Sequence, residues 1–233
     1  MKYPGRELDL FARALNWKRY WSGQMAAYLR GDVLEVGAGI GANLAMLWNE
    51  RVTSLTCLEP DEDLAARITP PPGAEGHLAW SVRVGTTADL REGEAFDTIL
   101  YADVIEHVPE DREELARAAR FLRPGGHLIV LAPAHNFLAT DFDRAIGHLR
   151  RYTRRTLAAL GPESLRPVKV IYLDSVGILA MLGNRLLLGS SSPSEREILF
   201  WDRYLVPPSR VLDWLTCHRL GRSVLGVWRR PAD

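Results

Sequence analysis

Three side chains that can move a proton lie close together in the middle of the chain: Asp103, Glu106 and His107. They follow the stretch from Phe96 to Tyr101, which reads as a buried strand. An imidazole titrates near pH ~6.5, so His107 is the predicted general base for a hydroxyl or an amine, with Asp103 or Glu106 orienting its ring. The sequence therefore predicts proton-transfer chemistry just beyond this strand.

A glycine-rich turn near the start of the chain predicts a cofactor site. The stretch from Val33 to Asn43 reads as a strand, a turn and a helix start, and the turn has glycine at every second position: Gly37, Gly39 and Gly41. Glycine adopts the positive φ of a tight turn and lets a ligand lie against the backbone. The G-x-G-x-G spacing differs from the G-x-G-x-x-G of dinucleotide folds, and Glu35 suits a cation better than a pyrophosphate.

The elements around these residues alternate between strands and helices, which indicates a doubly wound α/β sheet. Glu59 ends the second predicted strand, where a carboxylate lies beside the glycine turn and can accept both hydroxyls of a ribose. Helices are expected before the first strand and between the last two strands. The predicted strands are Val33–Val36, Thr53–Leu58, Ala79–Gly85, Phe96–Tyr101, His127–Ala132, Val168–Leu173 and Ser223–Trp228.

The order of these motifs resembles that of class I S-adenosylmethionine-dependent methyltransferases. E-x-G-x-G-x-G is similar to the first motif of that family. The run F-D-x-I, D-V-I-E-H-V-P and L-R-P-G-G-H-L-I-V-L-A-P resembles the branch that contains the ubiquinone-biosynthesis O-methyltransferases. The resemblance covers about residues 30 to 135, and a later segment, G-H-L-R-R-Y-T, resembles a bacterial subgroup of these enzymes.

The resemblance implies a seven-stranded, mostly parallel sheet, S-adenosylmethionine as cofactor, and an aspartate after strand three, Asp89, that accepts a hydrogen bond from the adenine amino group. It also associates the pattern of Asp103, Glu106 and His107 with a divalent metal, so metal ligation and a purely structural role remain alternatives to base catalysis. The predicted cofactor-binding residues are Glu35, Gly37, Ala38, Gly39, Gly41, Asn43, Glu59, Pro60, Ala88, Asp89, Tyr101 and Ala102.

Two features beyond the common core suggest an amphiphilic, anionic acceptor. An apolar helix is predicted from Val176 to Leu188, and five arginines lie between Arg144 and Arg155. The arginines are equally typical of a solvated basic face, and the aromatic residues of the N-terminal helix can simply pack on the sheet. The predicted acceptor-binding residues are Trp17, Tyr20, His135, His148, Arg150, Arg151 and Tyr152.

Composition limits the possible partners. The chain has 233 residues, of which 47% are hydrophobic, and its 29 basic residues balance 29 acidic ones, which does not favour nucleic acid. Two cysteines make no disulfide framework, and no apolar run reaches the ~18 residues of a membrane span, so a cytoplasmic protein without stable membrane insertion is expected. We expect one domain, with a helical cap over residues 1–30, a cofactor-binding core over 31–135 and an acceptor-side region over 136–233.

The function predicted from the sequence is methyl transfer from S-adenosylmethionine to a small or lipid-like acceptor, on oxygen. The alternatives are a cofactor-binding protein without turnover, an RNA methyltransferase and a nicotinamide oxidoreductase.

Overall fold

The computed structural model describes residues 3, 7–70, 79–187 and 194–232, without the side chains of 183–187. Residue 188, the last of the predicted apolar helix, lies outside the described residues.

Seven strands form one sheet in the order β3-β2-β1-β4-β5-β7-β6. The first five strands pair in parallel, and β7 runs antiparallel to both β5 and β6. The central strands are buried along most of their length because helices cover both faces, which explains their continuous apolar runs. The predicted seven-stranded, mostly parallel α/β fold is confirmed. The strands are β1 Gly31–Val36, β2 Val52–Glu59, β3 Ala79–Val84, β4 Phe96–Ala102, β5 Leu122–Pro133, β6 Arg166–Leu173 and β7 Ser223–Arg229.

Ten α-helices lie in the described part of the chain. They are α1 Leu8–Ala12, α2 Leu15–Met25, α3 Leu44–Leu47, α4 Glu62–Ala65, α5 Asp111–Arg120, α6 Asp141–Ala145, α7 Arg154–Leu160, α8 Ser175–Leu187, α9 Glu195–Phe200 and α10 Val206–Leu215. One core cluster joins α2 and α3 to the sheet through Trp21 and Leu47, and a second joins α5 and α7 through Leu115 and Leu157. Among the described residues no helix is long and apolar enough to span a bilayer.

The start of the fifth strand differs from the prediction. The sequence predicts that this strand begins at His127, after two glycines, but β5 already begins at Leu122. Gly125 has a φ of 79°, and the register between β4 and β5 shifts in this region. The strand therefore passes through an irregular pairing that glycine tolerates, instead of ending there.

A π-helical turn joins α9 to α10. The sequence predicts helices between the last two strands, and the structure links α9 and α10 through Trp201–Leu205. Pro207 and Pro208 lie in the first turn of α10, where the missing N–H groups have no partner to lose. The predicted helical insertion before the last strand is thus one nearly continuous arm.

A buried carboxylate fastens this arm to the N-terminal helices. Asp213 on α10 is fully buried and accepts a hydrogen bond of 2.7 Å from the hydroxyl of Tyr20 on α2. It also accepts from the backbone N–H groups of Asp174 at 2.7 Å and Ser175 at 2.9 Å, where α8 begins. Asp213 therefore holds three elements together, and Tyr20 contacts it instead of the cavity described below.

Replacing Tyr20 by Phe tests this contact. Hydrogen bonds to charged groups contribute about 1.5–3 kcal/mol, so Tyr20→Phe should lower the free energy of unfolding by about that amount in urea denaturation. Tyr204→Phe is the control, because Tyr204 is exposed, and its effect should stay within about 0.5 kcal/mol. Wild-type stability with weakened acceptor binding would instead support the acceptor role predicted for Tyr20.

Candidate active site

The turn that joins β1 to α3 is closed to side chains on one side and open to a cavity on the other. Gly37, Gly39 and Gly41 have φ angles of 69°, 57° and 75°. A Cβ on Gly37 would lie 2.7 Å from Val104 Cγ2, and one on Gly41 would lie 2.9 Å from Ile68 Cγ2. Gly37 and Gly39 line the cavity, whereas Gly41 lies behind them. Only glycine fits this backbone, and its cavity side can receive a ligand.

Glu59 spans the same turn from the end of β2. Its Oε2 accepts a hydrogen bond of 2.7 Å from the Gly39 N–H, and its Oε1 accepts one of 2.9 Å from the Asp61 N–H. Burial raises the pKa of Glu59, and these two N–H groups act against that rise. The carboxylate lines the cavity, and each oxygen has a further lone pair, so it can also accept ribose hydroxyls.

Glu35 lies behind the turn and is 1% exposed. Its Oε1 accepts a hydrogen bond of 2.9 Å from the Asn43 amide, and Asn43 Oδ1 accepts one of 2.7 Å from Lys18 Nζ. Oε2 of Glu35 has no partner among the described residues. Burial raises the pKa of Glu35 to about 7, against the Asn43 hydrogen bond and the Lys18 charge. Asn43 and Lys18 line the cavity, and Asn43 contacts Glu35. The Glu35 carboxylate, which lacks a hydrogen-bond donor for Oε2, is therefore separated from the cavity by the Asn43 side chain.

The predicted adenine ligand is turned away from the cavity. Asp89 Oδ2 accepts hydrogen bonds from the Thr86 N–H at 2.7 Å and from the Thr86 hydroxyl at 3.0 Å, which caps a short 3₁₀ turn. Gly85 and Thr86 line the cavity, but Ala88 and Asp89 do not. Binding adenine through Asp89 would require it to leave this cap, and the assignment stays a prediction.

The cavity has a volume of about 1570 Å³ and lies beyond the carboxyl ends of β1, β2 and β4. Four of the predicted cofactor residues, Ala38, Pro60, Tyr101 and Ala102, lie on its wall together with Glu59. A pocket for one small ligand measures roughly 300–1,000 Å³. The space is therefore sufficient for a cofactor and an acceptor side by side.

Aromatic residues of the N-terminal helices and the arm form the apolar wall. The rings of Trp17 and Trp201 are 5.7 Å apart, and Phe11 packs on Trp201 at 6.5 Å. Asp202 fixes the start of α2 by accepting the Trp17 N–H at 2.8 Å. All three rings line the cavity, so Trp17 is placed where the sequence predicted it.

The segment after β4 turns one acid towards the cavity and another into the protein. Asp103 has a φ of 55°, which is unusual for a residue with a side chain, and its carboxylate lines the cavity. Glu106 is fully buried, and neither of its carboxylate oxygens has a hydrogen-bond partner among the described residues. Burial and, secondly, the charge of Asp103 raise the pKa of Glu106 well above its ordinary value. Glu106 thus has unused capacity to bind a donor or a cation.

Two imidazoles lie beside Glu106. The ring centres of His107 and His148 are 4.7 Å apart, and His148 Nε2 is 3.7 Å from Glu106 Oε1. Burial, and then the neighbouring His148, lower the pKa of His107 to about 4, so this ring is neutral near pH 7. Donor atoms of the three residues all lie within 4.8 Å of one another. Asp103 is not part of this group.

A fixed carboxylate sets the orientation of His148. Asp143 Oδ1 lies 2.9 Å from His148 Nδ1 and also accepts a hydrogen bond of 2.8 Å from Arg151 Nε. Burial would raise the pKa of Asp143, but the His148 contact and the Arg151 charge outweigh it and hold that pKa well below its usual range. Because a carboxylate only accepts hydrogen bonds, Nδ1 of His148 carries a proton at this contact, and Nε2 faces Glu106 Oε1.

Several predicted acceptor residues lie away from the cavity. Arg150 pairs with Asp111 at 2.8 Å and donates to the Pro109 carbonyl at 3.0 Å, and the Tyr152 hydroxyl donates to Asp111 at 2.8 Å. The ring of His135 packs on the ring of Tyr172 instead. Among the predicted acceptor residues, the structure brings three to the cavity wall: Trp17, His148 and Arg151.

Four further residues at the site were not predicted: Lys18, Asp143, Trp201 and Arg222. A lysine within the aromatic stripe of α2 is a recognisable signal, because lysine is almost never fully buried without a partner. Asp143 has local partners, because it forms a capping box with Thr140 and lies five residues before His148. Arg222 carries no local signal, since its partner Asp174 is brought to it by the tertiary fold.

Comparison with known proteins identifies the class. A family model described as a methyltransferase domain matches residues 11–166, which is more than half of the chain. The chain belongs to this family and is an S-adenosylmethionine-dependent methyltransferase, which confirms the predicted class over the nicotinamide oxidoreductase.

Individual relatives are distant. The ubiquinone biosynthesis O-methyltransferase of Mesorhizobium japonicum is 40% identical over 58 residues, which cover 24% of this chain and 23% of that protein. A geranyl diphosphate methyltransferase solved in complex with SAM has a TM-score of 0.63 at 15% identity, covering 97% of this chain and 92% of that one. N-methyltransferase NodS from Bradyrhizobium japonicum, in complex with S-adenosyl-L-homocysteine, has a TM-score of 0.57 at 17% identity, covering 94% and 87%. These structures share the fold.

The site fits this cofactor. The glycine backbone forms a cradle that a Cβ would fill, and the unpartnered Glu35 Oε2 adds a negative potential suited to an ammonium group. Lys18 Nζ, at the cavity wall, suits a carboxylate. Both ends of the amino acid part of S-adenosylmethionine therefore find a group of opposite charge.

Replacing Glu59 tests the cofactor site. Charge-assisted hydrogen bonds contribute about 1.5–3 kcal/mol, so Glu59→Ala should weaken S-adenosylhomocysteine binding at least about tenfold in calorimetric titration. Glu62→Ala, an exposed acid on α4, is the matched control and should bind normally. An unchanged affinity in folded Glu59→Ala would remove Glu59 from the site.

The raised pKa of Glu35 predicts a proton linked to cofactor binding. The free protein binds this proton below a pH of about 7, and a bound ammonium favours the carboxylate, so its pKa falls on binding. Affinity for S-adenosylhomocysteine should therefore rise as the pH increases from about 5 to 7 and level off above. Calorimetry in buffers of different ionisation enthalpy at pH 6.5 should detect proton release, and Glu35→Gln should abolish it. Equal release by wild type and Glu35→Gln would contradict this assignment.

Proposed function

We propose that the enzyme methylates an oxygen atom of a small, amphiphilic and anionic acceptor. The observation that carries this proposal is the imidazole pair, His107 and His148, beside the cavity, with His148 held by Asp143. A neutral amine can accept a methyl group through its lone pair, whereas a hydroxyl reacts well only as its proton leaves. A positioned pair of imidazoles, of which His107 is neutral near pH 7, therefore favours an oxygen nucleophile.

The walls of the cavity support an acceptor with an apolar body. Phe11, Trp17 and Trp201 form a continuous aromatic surface, which can bury a chain or ring at about 25 cal/mol per Å². The names of the curated relatives, O-methyltransferases of ubiquinone biosynthesis, agree with an oxygen acceptor of this kind. A cavity lined largely by apolar and aromatic side chains also favours a small molecule over RNA, and the cytoplasm stays the predicted compartment.

S-adenosylmethionine, when bound, supplies the reactive methyl group on its sulfonium. The protein orients the reaction: Glu59 and the glycine turn would hold the nucleoside, and Lys18 and Asn43 would face the amino acid part. The acceptor lies on the β4 side, where His107 takes the proton and His148 Nε2 shares it. Most of the acceleration expected here comes from positioning, since aligned reactants gain effective molarities of about 10⁵ M or more.

A divalent metal is the second candidate. Glu106, His107 and His148 present donor atoms within 4.8 Å of one another, and Glu106 has two oxygens without partners. The Asp143–His148 contact resembles the carboxylate that orients a ligating histidine in metal sites. A metal held there would act as a Lewis acid that makes the acceptor hydroxyl easier to deprotonate.

Substitution and chelation together separate the two candidates. If the imidazoles act as proton acceptors, His107→Gln and His148→Gln should each lower kcat about 10²-fold or more and leave the affinity for S-adenosylhomocysteine unchanged. Wild-type activity should then be the same with and without chelator. Activity that chelation abolishes and Mg²⁺ or Zn²⁺ restores would favour the metal instead.

His218 lies in a smaller pocket between α2 and α10, away from the cavity. The control variant His218→Gln should therefore retain full activity. Full activity of His107→Gln and His148→Gln in the presence of chelator would contradict both candidates and leave positioning alone as the source of catalysis.

A further inference from the structure

Arg222 reaches the cavity from the loop that precedes β7. Its Nε lies 2.9 Å from Asp174 Oδ2, and about a fifth of its side chain is exposed (22%), whereas Asp174 is fully buried. The residue after it, Ser223, pairs with Pro133 at the carboxyl end of β5. Arg222 therefore lies on the β5–β7 side of the cavity, with β5 between it and β4 in the sheet.

Asp174 is held in place from several directions. It accepts hydrogen bonds from the Trp201 indole N–H at 2.8 Å, the Ser209 hydroxyl at 2.6 Å and the Gly177 N–H at 3.1 Å. These donors come from the arm and from the start of α8. The edge of the guanidinium group that contacts Asp174 is thus fixed before any ligand binds.

One face of the guanidinium is fixed as well. The central carbon of the Arg222 guanidinium lies 4.0 Å above the centre of the Trp201 ring, within the range of a cation–π contact. With Nε and one face occupied, the edge formed by Nη1 and Nη2 remains. Among the described residues, no carboxylate other than Asp174 lies within ion-pair distance of this group. A planar fork with two free amino groups is suited to a carboxylate or a phosphate.

The other arginines of the cavity wall are arranged differently. Arg117 pairs with Glu114, Arg144 with Asp141 and Arg151 with Asp143. Arg196 is exposed on α9, where water competes for its hydrogen bonds. Arg222 combines a position on the wall, a rigid support and an unused fork.

We propose that Arg222 binds an oxyanion of the methyl acceptor, a carboxylate or a phosphate, and so selects an anionic substrate. The inference rests on the proposed function, because it places the acceptor in this cavity. The oxyanion lies against Arg222 with the apolar body along Trp201 and Trp17, and the hydroxyl extends towards His107. This assigns to Arg222 the role that the sequence suggested for Arg150 and Arg151, both of which already have carboxylate partners.

Probe ligands of equal chain length test the assignment. Decanoate, decyl phosphate and decanol are titrated into protein saturated with S-adenosylhomocysteine, with tryptophan fluorescence as the readout because Trp201 lies in the site. Wild type should bind at least one of the two anions about tenfold or more tighter than decanol, and whichever anion binds tighter identifies the head group. Equal binding of all three probes by wild type would overturn the proposal.

Two variants and a control assign the preference to Arg222. Arg222→Gln should lose the preference for the anion at least about tenfold while its decanol affinity is unchanged, which a general loss of structure would not produce. Arg222→Lys keeps the charge but not the fork and should show a reduced preference, so it decides the question if Arg222→Gln does not fold. Arg219→Gln, an exposed arginine in the same loop, should behave as wild type.

An anion preference that survives in both Arg222 variants would contradict the proposal. S-adenosylhomocysteine affinity is measured for every protein, so a failure of cofactor binding would count against the proposed function and would be distinguishable from a failure at Arg222.

Discussion

The close contact between Gly37 and Val104 is the constraint on which the site depends. A Cβ on Gly37 would lie 2.7 Å from Val104, so the loop after β4 can pack onto the cofactor turn only because glycine is there. Val104 lies between Asp103 and the pair of Glu106 and His107, and its position therefore sets how near the proton-transfer groups come to the bound cofactor. A side chain at position 37 would have to move this whole segment, at the cost of the alignment on which methyl transfer depends.

Buried carboxylates divide into those that the fold has satisfied and those that it has not. Asp213 and Asp174 are fully buried but accept several hydrogen bonds each, which stabilises the arm and rigidifies the wall. Glu35 has one unpartnered oxygen and Glu106 has two. Leaving such a group unpaired costs roughly 1–3 kcal/mol or more, and that cost is recovered when a ligand supplies the missing donor or cation. Glu35 lies behind the cofactor turn and Glu106 beside the two imidazoles, and Glu7, a third buried acid with one unpartnered oxygen among the described residues, lines the cavity.

Local patterns were enough to bring the glycine turn and Glu59 together, whereas the arrangement around His107 and Arg222 depends on tertiary contacts. The glycine turn and Glu59 come from adjacent parallel strands, whose carboxyl ends always meet, so strand order alone places them together. The group of Glu106, His107 and His148 joins residues about forty positions apart, and Arg150 reaches Asp111 over a similar separation. Spacing along the chain could not show that Arg150 was already paired. It could not show the partners of Arg222 either, since Asp174 lies before the arm and Arg222 after it.

The acceptor wall is built partly from residues that follow the region matched by the family model. Asp174, Trp201 and Arg222 all follow residue 166, whereas the glycine turn, Glu59, His107 and His148 precede it. The arm packs on α2 through Asp213 and Asp202, which accept hydrogen bonds from Tyr20 and Trp17. Because Trp201 and Arg222 lie outside the region matched by the family model, the proposed selection of the acceptor can change without a change in the glycine turn or Glu59. The two free amino groups of Arg222, whose guanidinium stacks on Trp201 of that arm, are the feature that selects an anionic acceptor in the proposed function.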